Sequence, residues 1–201
     1  MPRATYHHGN LAESLLDAVD ELASRFGLEA VSLRACAKRV GVSPSSAFRH
    51  YADKRALMTA FAARALDRLS DALERASAEA SAAGDNAFLA VGLAYVGHAI
   101  ERPAFFRAAW REETIYATDA DYAAAVARLV AHVRGGFAAS IEDPDPEEMD
   151  ARELLAWSAV HGLASLFVDG PLGAGDGVDA KLATAREMLE ALAPALAHRG
   201  P

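Results

Sequence analysis

A single cysteine, Cys36, stands in the 201 residues. One thiol excludes a disulfide framework and a cysteine-rich zinc site. Isoleucine occurs only three times, which speaks against sheet, because β-branched residues are the ones strands favour. No apolar run approaches the ~18 residues a membrane span needs. The opening MPRATYHHGN has no apolar stretch, so no signal peptide is expected there. His-Glu-x-x-His, a glycine-rich phosphate loop and a nucleophile elbow are all missing, and the seven histidines follow no ligand spacing. No metal, cofactor or catalytic residue is therefore expected. What is abundant is alanine, at 48 positions, in a chain that is 52% hydrophobic and 24% charged. Alanine has the best helix propensity, and the expectation is a cytoplasmic, all-α protein with a sizeable core. High Ala with low Ile and Lys suggests a GC-rich bacterial genome.

The net charge of −8 argues by itself against nucleic acid. The average hides an asymmetry. Residues 1–55 hold eight Lys/Arg and six Asp/Glu, whereas 56–201 hold twelve and twenty-two. Between 32 and 55, six basic residues (Arg34, Lys38, Arg39, Arg49, Lys54 and Arg55) meet Asp53 alone. A local patch, rather than whole-chain charge, is the electrostatic footprint of nucleic-acid binding.

Periodicity and caps predict about nine helices. Asn10 with Glu13 forms a capping box for a first helix with Leu11, Leu15, Val19, Leu22 and Phe26 on its inner face, stopped by Gly27. Ser32 caps a second, with Leu33, Cys36, Ala37 and Val40 inward, stopped by Gly41. Ser43 caps a third with Pro44 at its first position. Asp53 caps a fourth whose stripe is Leu57, Phe61, Ala65, Leu69 and Leu73, ending near Ala83. Further helices are expected over roughly 86–101, from Pro103, and from Asp119 to Ile141. An acidic loop follows at 142–148, in which Asp145 and Glu148 form a second capping box for the eighth helix. A glycine-rich stretch from Val168 to Gly177 precedes the last helix.

Helix, Gly-Val-Ser turn, helix is the pattern of a helix-turn-helix. On the third helix Ala47 and Tyr51 face inward by spacing, while Ser45, Ser46 and Arg49 share the solvent face. Small hydroxyls allow close approach to base edges, and one guanidinium can reach guanine bidentately. The whole run from Ser32 to Leu57, SLRACAKRVGVSPSSAFRHYADKRAL, resembles the N-terminal DNA-binding domain of TetR-family transcriptional regulators. Tyr6-His-His-Gly-Asn-Leu11 is similar to the lead-in of one subgroup, and Trp157-Ser-Ala-Val-His-Gly162 to the Trp-His-Gly signature of a C-terminal domain often joined to such heads.

The resemblance implies that Ser43, Ser45, Ser46 and Arg49 sit in the major groove, and that Ser32, Arg34, His50 and Lys54 hold phosphates. Phe48 departs from the pattern, because the family usually has a tyrosine there whose hydroxyl reaches the backbone. Phe48 cannot donate, and whether Tyr51 replaces that contact is open. Arg3 lies in an arm that either enters the minor groove or is an unstructured start. The expected division is a DNA-binding head over 1–55 and a helical ligand-binding and dimerisation body over 56–201.

In the body, Val178, Leu182, Ala185, Leu189, Leu192 and Leu196 follow steps of 4, 3, 4, 3 and 4, a heptad-like seam. Helix eight adds Leu155, Ser158, Gly162 and Ser165. Either these faces form a four-helix dimer interface, as in the family, or they pack inside one subunit. Trp157 and His161 share a face and are expected to pack internally, with His161 hydrogen-bonded. Seven of fifteen aromatics lie between 88 and 122, and Tyr95, His98, Trp110 and Tyr116 are the candidate lining of a small-molecule pocket, against the alternative of plain core. The sequence thus predicts a ligand-responsive repressor, a homodimer on a palindromic double-stranded operator, with an unidentified effector and no membrane association. The competing reading is a helical protein-interaction adaptor that does not bind DNA.

Overall fold

The computed structural model describes residues 11–111, 115–138, 151–173, 175 and 177–197. The lead-in with Arg3, His7, His8 and the Asn10 cap lies outside the described residues, as do the 142–148 loop with its Asp145–Glu148 box, and His198. Nine α-helices and two 3-10 turns make up the described fold: α1 (Leu11–Phe26), α2 (Leu33–Val40), α3 (Pro44–Phe48), α4 (Lys54–Ala83), α5 (Ala87–Glu101), α6 (Pro103–Ala109), α7 (Ala120–Ala138), α8 (Ala151–Val168) and α9 (Val178–Ala197).

Local chemistry sets most of these boundaries. Ser32 Oγ accepts the Ala35 N–H at 3.1 Å, Ser43 Oγ that of Ser46 at 3.2 Å, and Asp53 Oδ1 that of Ala56 at 2.8 Å. Each satisfies a donor that the first helical turn leaves orphaned. Asn86 does the same for α5, and Asp119 for α7 through the N–H groups of Asp121 and Tyr122. Gly41 ends α2 at φ 82°, a left-handed conformation that a side chain would strain. Its N–H returns to the Ala37 carbonyl at 2.9 Å, and the chain turns sharply into α3.

The α4 stripe is buried throughout: Leu57, Phe61, Ala65, Leu69 and Leu73 are at most 4% exposed. With 30 residues α4 is about 45 Å long. Its first turns close the core of α1–α3, and the remainder packs on α5, α6 and α7. The core is therefore continuous from head to body. Cys36 is fully buried in it, and burial pushes its thiol up to about 11, so it behaves as a small apolar residue. Phe26 departs from its expected inward stripe and is 67% exposed. It ends α1 immediately before Gly27, where Leu28 and Val31 of the following turn take the buried places.

The α9 stripe also resolves. Ala185, Leu189 and Leu196 are at most 7% exposed within the single chain. Leu189 fits because Gly92 on α5 has no side chain: a Cβ there would lie 2.9 Å from Leu189 Cδ1. Leu189 thus belongs to the subunit's own core, the second of the two arrangements open for that helix. Heptad-like spacing suits packing on α5 as well as packing on a second copy, and here α5 takes that face.

Candidate nucleic-acid interface

α2 and α3 with their turn present the strongest outward concentration of the residues singled out by sequence. Ser43, Ser45, Phe48, Arg49 and His50 are exposed and Ser46 is half-buried, while Ala47 is fully buried against the other head helices. Ser43 Oγ lies 2.9 Å from both Ser45 Oγ and Ser46 Oγ. Arg49 Nη2 donates to Ser46 Oγ at 3.2 Å. The guanidinium therefore lies along a row of hydroxyls, with its remaining donors open to a ligand.

Around this face Arg34, Lys38 and Lys54 are exposed, and Ser32 is half-buried beneath its helix start. Among the described residues, Arg34, Lys38 and Arg49 have no carboxylate within ion-pair distance. Arg39 differs, since Glu21 holds it at 2.6 Å and the guanidinium in turn holds that carboxyl below its ordinary range. Lys54 Nζ donates to the Leu28 carbonyl at 3.4 Å. The patch can bind a polyanion through Arg34, Lys38, Arg49 and Lys54 and can offer hydroxyls and one guanidinium to base edges. Tyr51 does not supply an outward hydroxyl. Its Oη donates to the Ala12 carbonyl of α1 at 3.4 Å, and burial pushes the phenol up to about 12. The outward aromatic is Phe48, 45% exposed and without a donor.

Sequence reasoning missed the contacts that fix this head on the body. Tyr116 Oη donates to Asp53 Oδ2 at 2.7 Å, and its ring lies 4.5 Å from the Arg55 guanidinium carbon. The Tyr116 N–H donates to Thr59 Oγ1 and Arg55 Nε to the Ile115 carbonyl, both at 2.8 Å. Arg111 pairs with Glu29 at 2.9 Å, and Arg102 with Asp20 at 3.7 Å. The partners are distant in the chain, so no local spacing announces them.

The four aromatic-region residues separate. Tyr95 and Trp110 meet around His161: Tyr95 Oη lies 2.9 Å from His161 Nδ1, and the Trp110 ring centroid 4.9 Å from the imidazole's. Trp157 and Phe106 complete the cluster at 6.5 and 5.3 Å. The indole N–H groups of Trp110 and Trp157 are buried and face the Tyr95 hydroxyl. Two cavities of about 20 and 10 Å³ flank Tyr95, each room for about one water. Tyr116 does not join them, because it is engaged at the start of α4. His98 borders the smaller cavity on one side and an outer groove on the other.

Burial, then Arg102, Arg68 and Arg75, push the His98 imidazole down to about 4 from 6.5. Between these values the unfolded chain binds the proton and the folded chain does not, so stability falls as pH drops through that window. We expect His98→Gln to show a smaller loss of Tm between pH 6.5 and 4 than the wild type; an identical loss would contradict a neutral folded-state His98.

On the far side of the body α8 turns Leu155 (49% exposed), Ser158 and Leu166 (40%) outward along one face, with Leu154 beside them. Gly162, half-buried, continues that face, and a Cβ there would meet nothing within 4 Å. On α9 Val178 is exposed, Leu182 and Leu192 are half-buried, and Met188 is 47% exposed. No group of three or more His, Cys, Asp or Glu among the described residues could hold a metal ion, and none of their helices is long and apolar enough to cross a membrane.

Comparison with known proteins gives this geometry a family. Residues 15–61 match the family model described as bacterial regulatory proteins, tetR family, and residues 88–192 the one described as tetracyclin repressor-like, C-terminal domain. The uncharacterized HTH-type transcriptional regulator YobS of Bacillus subtilis (strain 168) is 35% identical over 101 residues, 50% of this chain and 52% of that protein. The chain thus matches about half the length of that relative. A structure of a protein with unknown function from Rhodococcus sp. RHA1 superposes with a TM-score of 0.69 at 28% identity, over 93% of this chain and 97% of that one. A TetR-family transcriptional regulator from Streptomyces coelicolor shares the fold, with a TM-score of 0.62 at 24% identity over 93% and 99%. The chain belongs to the TetR family of bacterial regulatory proteins, DNA-binding regulators of transcription.

Proposed function

We propose that the protein is a homodimeric, ligand-responsive repressor in which residues 1–55 read a palindromic operator and 56–201 dimerise and receive an effector. The observation that carries the reading is the outward face of α3, where Ser45, Ser46 and Arg49 stand clear of the head's core beside basic residues without carboxylate partners. In this reading Arg49 and the serines enter the major groove. Ser32, Arg34, His50 and Lys54 clamp phosphates on either side, and Phe48 contributes only an apolar contact.

A single short helix makes too few contacts to find a rare site, so two heads on half-sites about one helical turn or a multiple apart are required. The exposed apolar residues of α8 and α9, Leu155, Leu166 and Met188 above all, support dimerisation there, with Ser158 and Gly162 allowing close approach. Val178 is exposed and Leu182 and Leu192 are half-buried, so part of each is open to a second copy.

The cluster of Tyr95, Trp110, Trp157 and His161 is the proposed effector site, since two indole N–H groups converge on the Tyr95 hydroxyl in an otherwise apolar interior. The cavities there are small, so a ligand must part α5, α6 and α8 to enter. α4 spans head and body and carries that displacement to the heads, changing their spacing and lowering operator affinity. TetR-family regulators act by binding rather than by catalysis. Selection of random duplex DNA on the purified protein tests the reading.

A further inference from the structure

A groove of about 600 Å³ opens between α4 and α5, away from the aromatic cluster. Three arginines line it: Arg68 and Arg75, seven apart on α4 and so on one face, and Arg102 at the end of α5. This gathering of one sign occurs in a part of the chain with twelve basic and twenty-two acidic residues. Arg68 and Arg75 have no carboxylate within ion-pair distance among the described residues. The groove's Asp71 is held at 2.7 Å by Arg128, which leaves Glu101 as its uncommitted carboxylate.

Phe105 explains how like charges stay together. The guanidinium carbons of Arg68 and Arg102 lie 5.1 and 5.8 Å from its ring centroid. That ring is 1% exposed and is stacked on Phe61 at 4.8 Å, so the platform is rigid. Cation–π contact orients the guanidinium groups without neutralising them, and their forked donors match carboxylate and phosphate oxygens. His98 forms the wall between groove and interior, and its Nε2 has no hydrogen-bond partner.

We infer that this groove is a binding site for a small polyanion bearing carboxylate or phosphate groups. Its link to the head is Arg102, which lies 3.7 Å from Asp20 on α1. A bound anion competes with Asp20 for that guanidinium and weakens one of the ties between head and body. The effect on DNA rests on the head being the reader proposed above; anion binding itself does not.

The test is calorimetric titration of the full-length protein with inorganic pyrophosphate and, separately, citrate, at a constant ionic strength of ~0.15 M, where exposed charges are screened beyond about 8 Å. The expected result is saturable binding of at least one probe with Kd below ~1 mM, and the preferred probe tells phosphate from carboxylate. Arg68→Gln/Arg75→Gln should bind at least about tenfold more weakly; should that pair not fold, Arg75→Gln alone, on an exposed side chain, makes the same comparison. Asp20→Asn should bind a few-fold more tightly, because Arg102 is released. No saturable heat from either probe, or equal binding by the arginine variants, overturns the site. Unchanged affinity in Asp20→Asn overturns its link to the head. Neither readout involves DNA, so the operator-reading proposal can fail without touching them.

Discussion

Arg49→Ala lowers affinity for the preferred operator by roughly tenfold to a hundredfold for each half-site and flattens discrimination at one base pair per half-site, on the proposed docking. The loss corresponds to about 1–3 kcal/mol for one bidentate base contact, and a dimer would lose it at both half-sites. The side chain is exposed and, among the described residues, its one side-chain hydrogen bond is to Ser46 Oγ, so its removal should leave the fold intact and the effect should read on DNA. Arg34→Ala is the informative comparison. As a phosphate contact it weakens binding to every sequence alike and reduces the salt dependence by about one counterion. Equal discrimination by wild type and Arg49→Ala between the operator and a point-mutated operator would remove Arg49 from base reading.

Leu155→Asp with Met188→Asp converts the proposed dimer to a monomer at micromolar concentration in sedimentation velocity. Both side chains are nearly half exposed in the single chain, so neither substitution enters the core. A charge on each copy, buried against its mate, opposes association by desolvation and repulsion. Losing the second head removes an avidity of about 10²–10⁴, so operator binding should fall by about that factor. Leu189 cannot serve for this test, because it is 2% exposed beneath Gly92 and an aspartate there would unfold the subunit. A dimer of unchanged mass in the double variant would place the interface elsewhere.

The contrast between Leu155 and Leu189 shows where sequence reading reaches its end. Caps and stops such as Ser32, Gly41, Ser43 and Asp53 depend on the residue itself and a backbone group a few positions away, so their spacing announces them. The α4 stripe is equally local, and all five of its residues are buried. The last helix carries apolar residues on two faces, and which one meets α5 depends on Gly92, some ninety residues earlier. Tyr116 looked like its aromatic neighbours in composition, yet a hydrogen bond to Asp53 assigns it to the junction of head and body. The arginine groove is of the same kind. Nothing in the spacing of Arg68 and Arg75 announces Arg102, which lines the same groove, or Phe105, over which Arg68 and Arg102 lie. Tyr51 was open on sequence, and the fold turns its hydroxyl toward α1.

The central claim is that two copies of the α3 face read a symmetric DNA site. Selection of random duplex DNA on the purified full-length protein at ~0.15 M salt, where non-specific binding is weak, tests it most directly. The account predicts enrichment of a palindrome whose half-sites are spaced by about one helical turn or a multiple. The wild type should enrich it, and the Leu155→Asp/Met188→Asp monomer should not. Failure of the folded, dimeric protein to enrich any sequence would contradict the claim and favour a helical body that engages a protein partner instead.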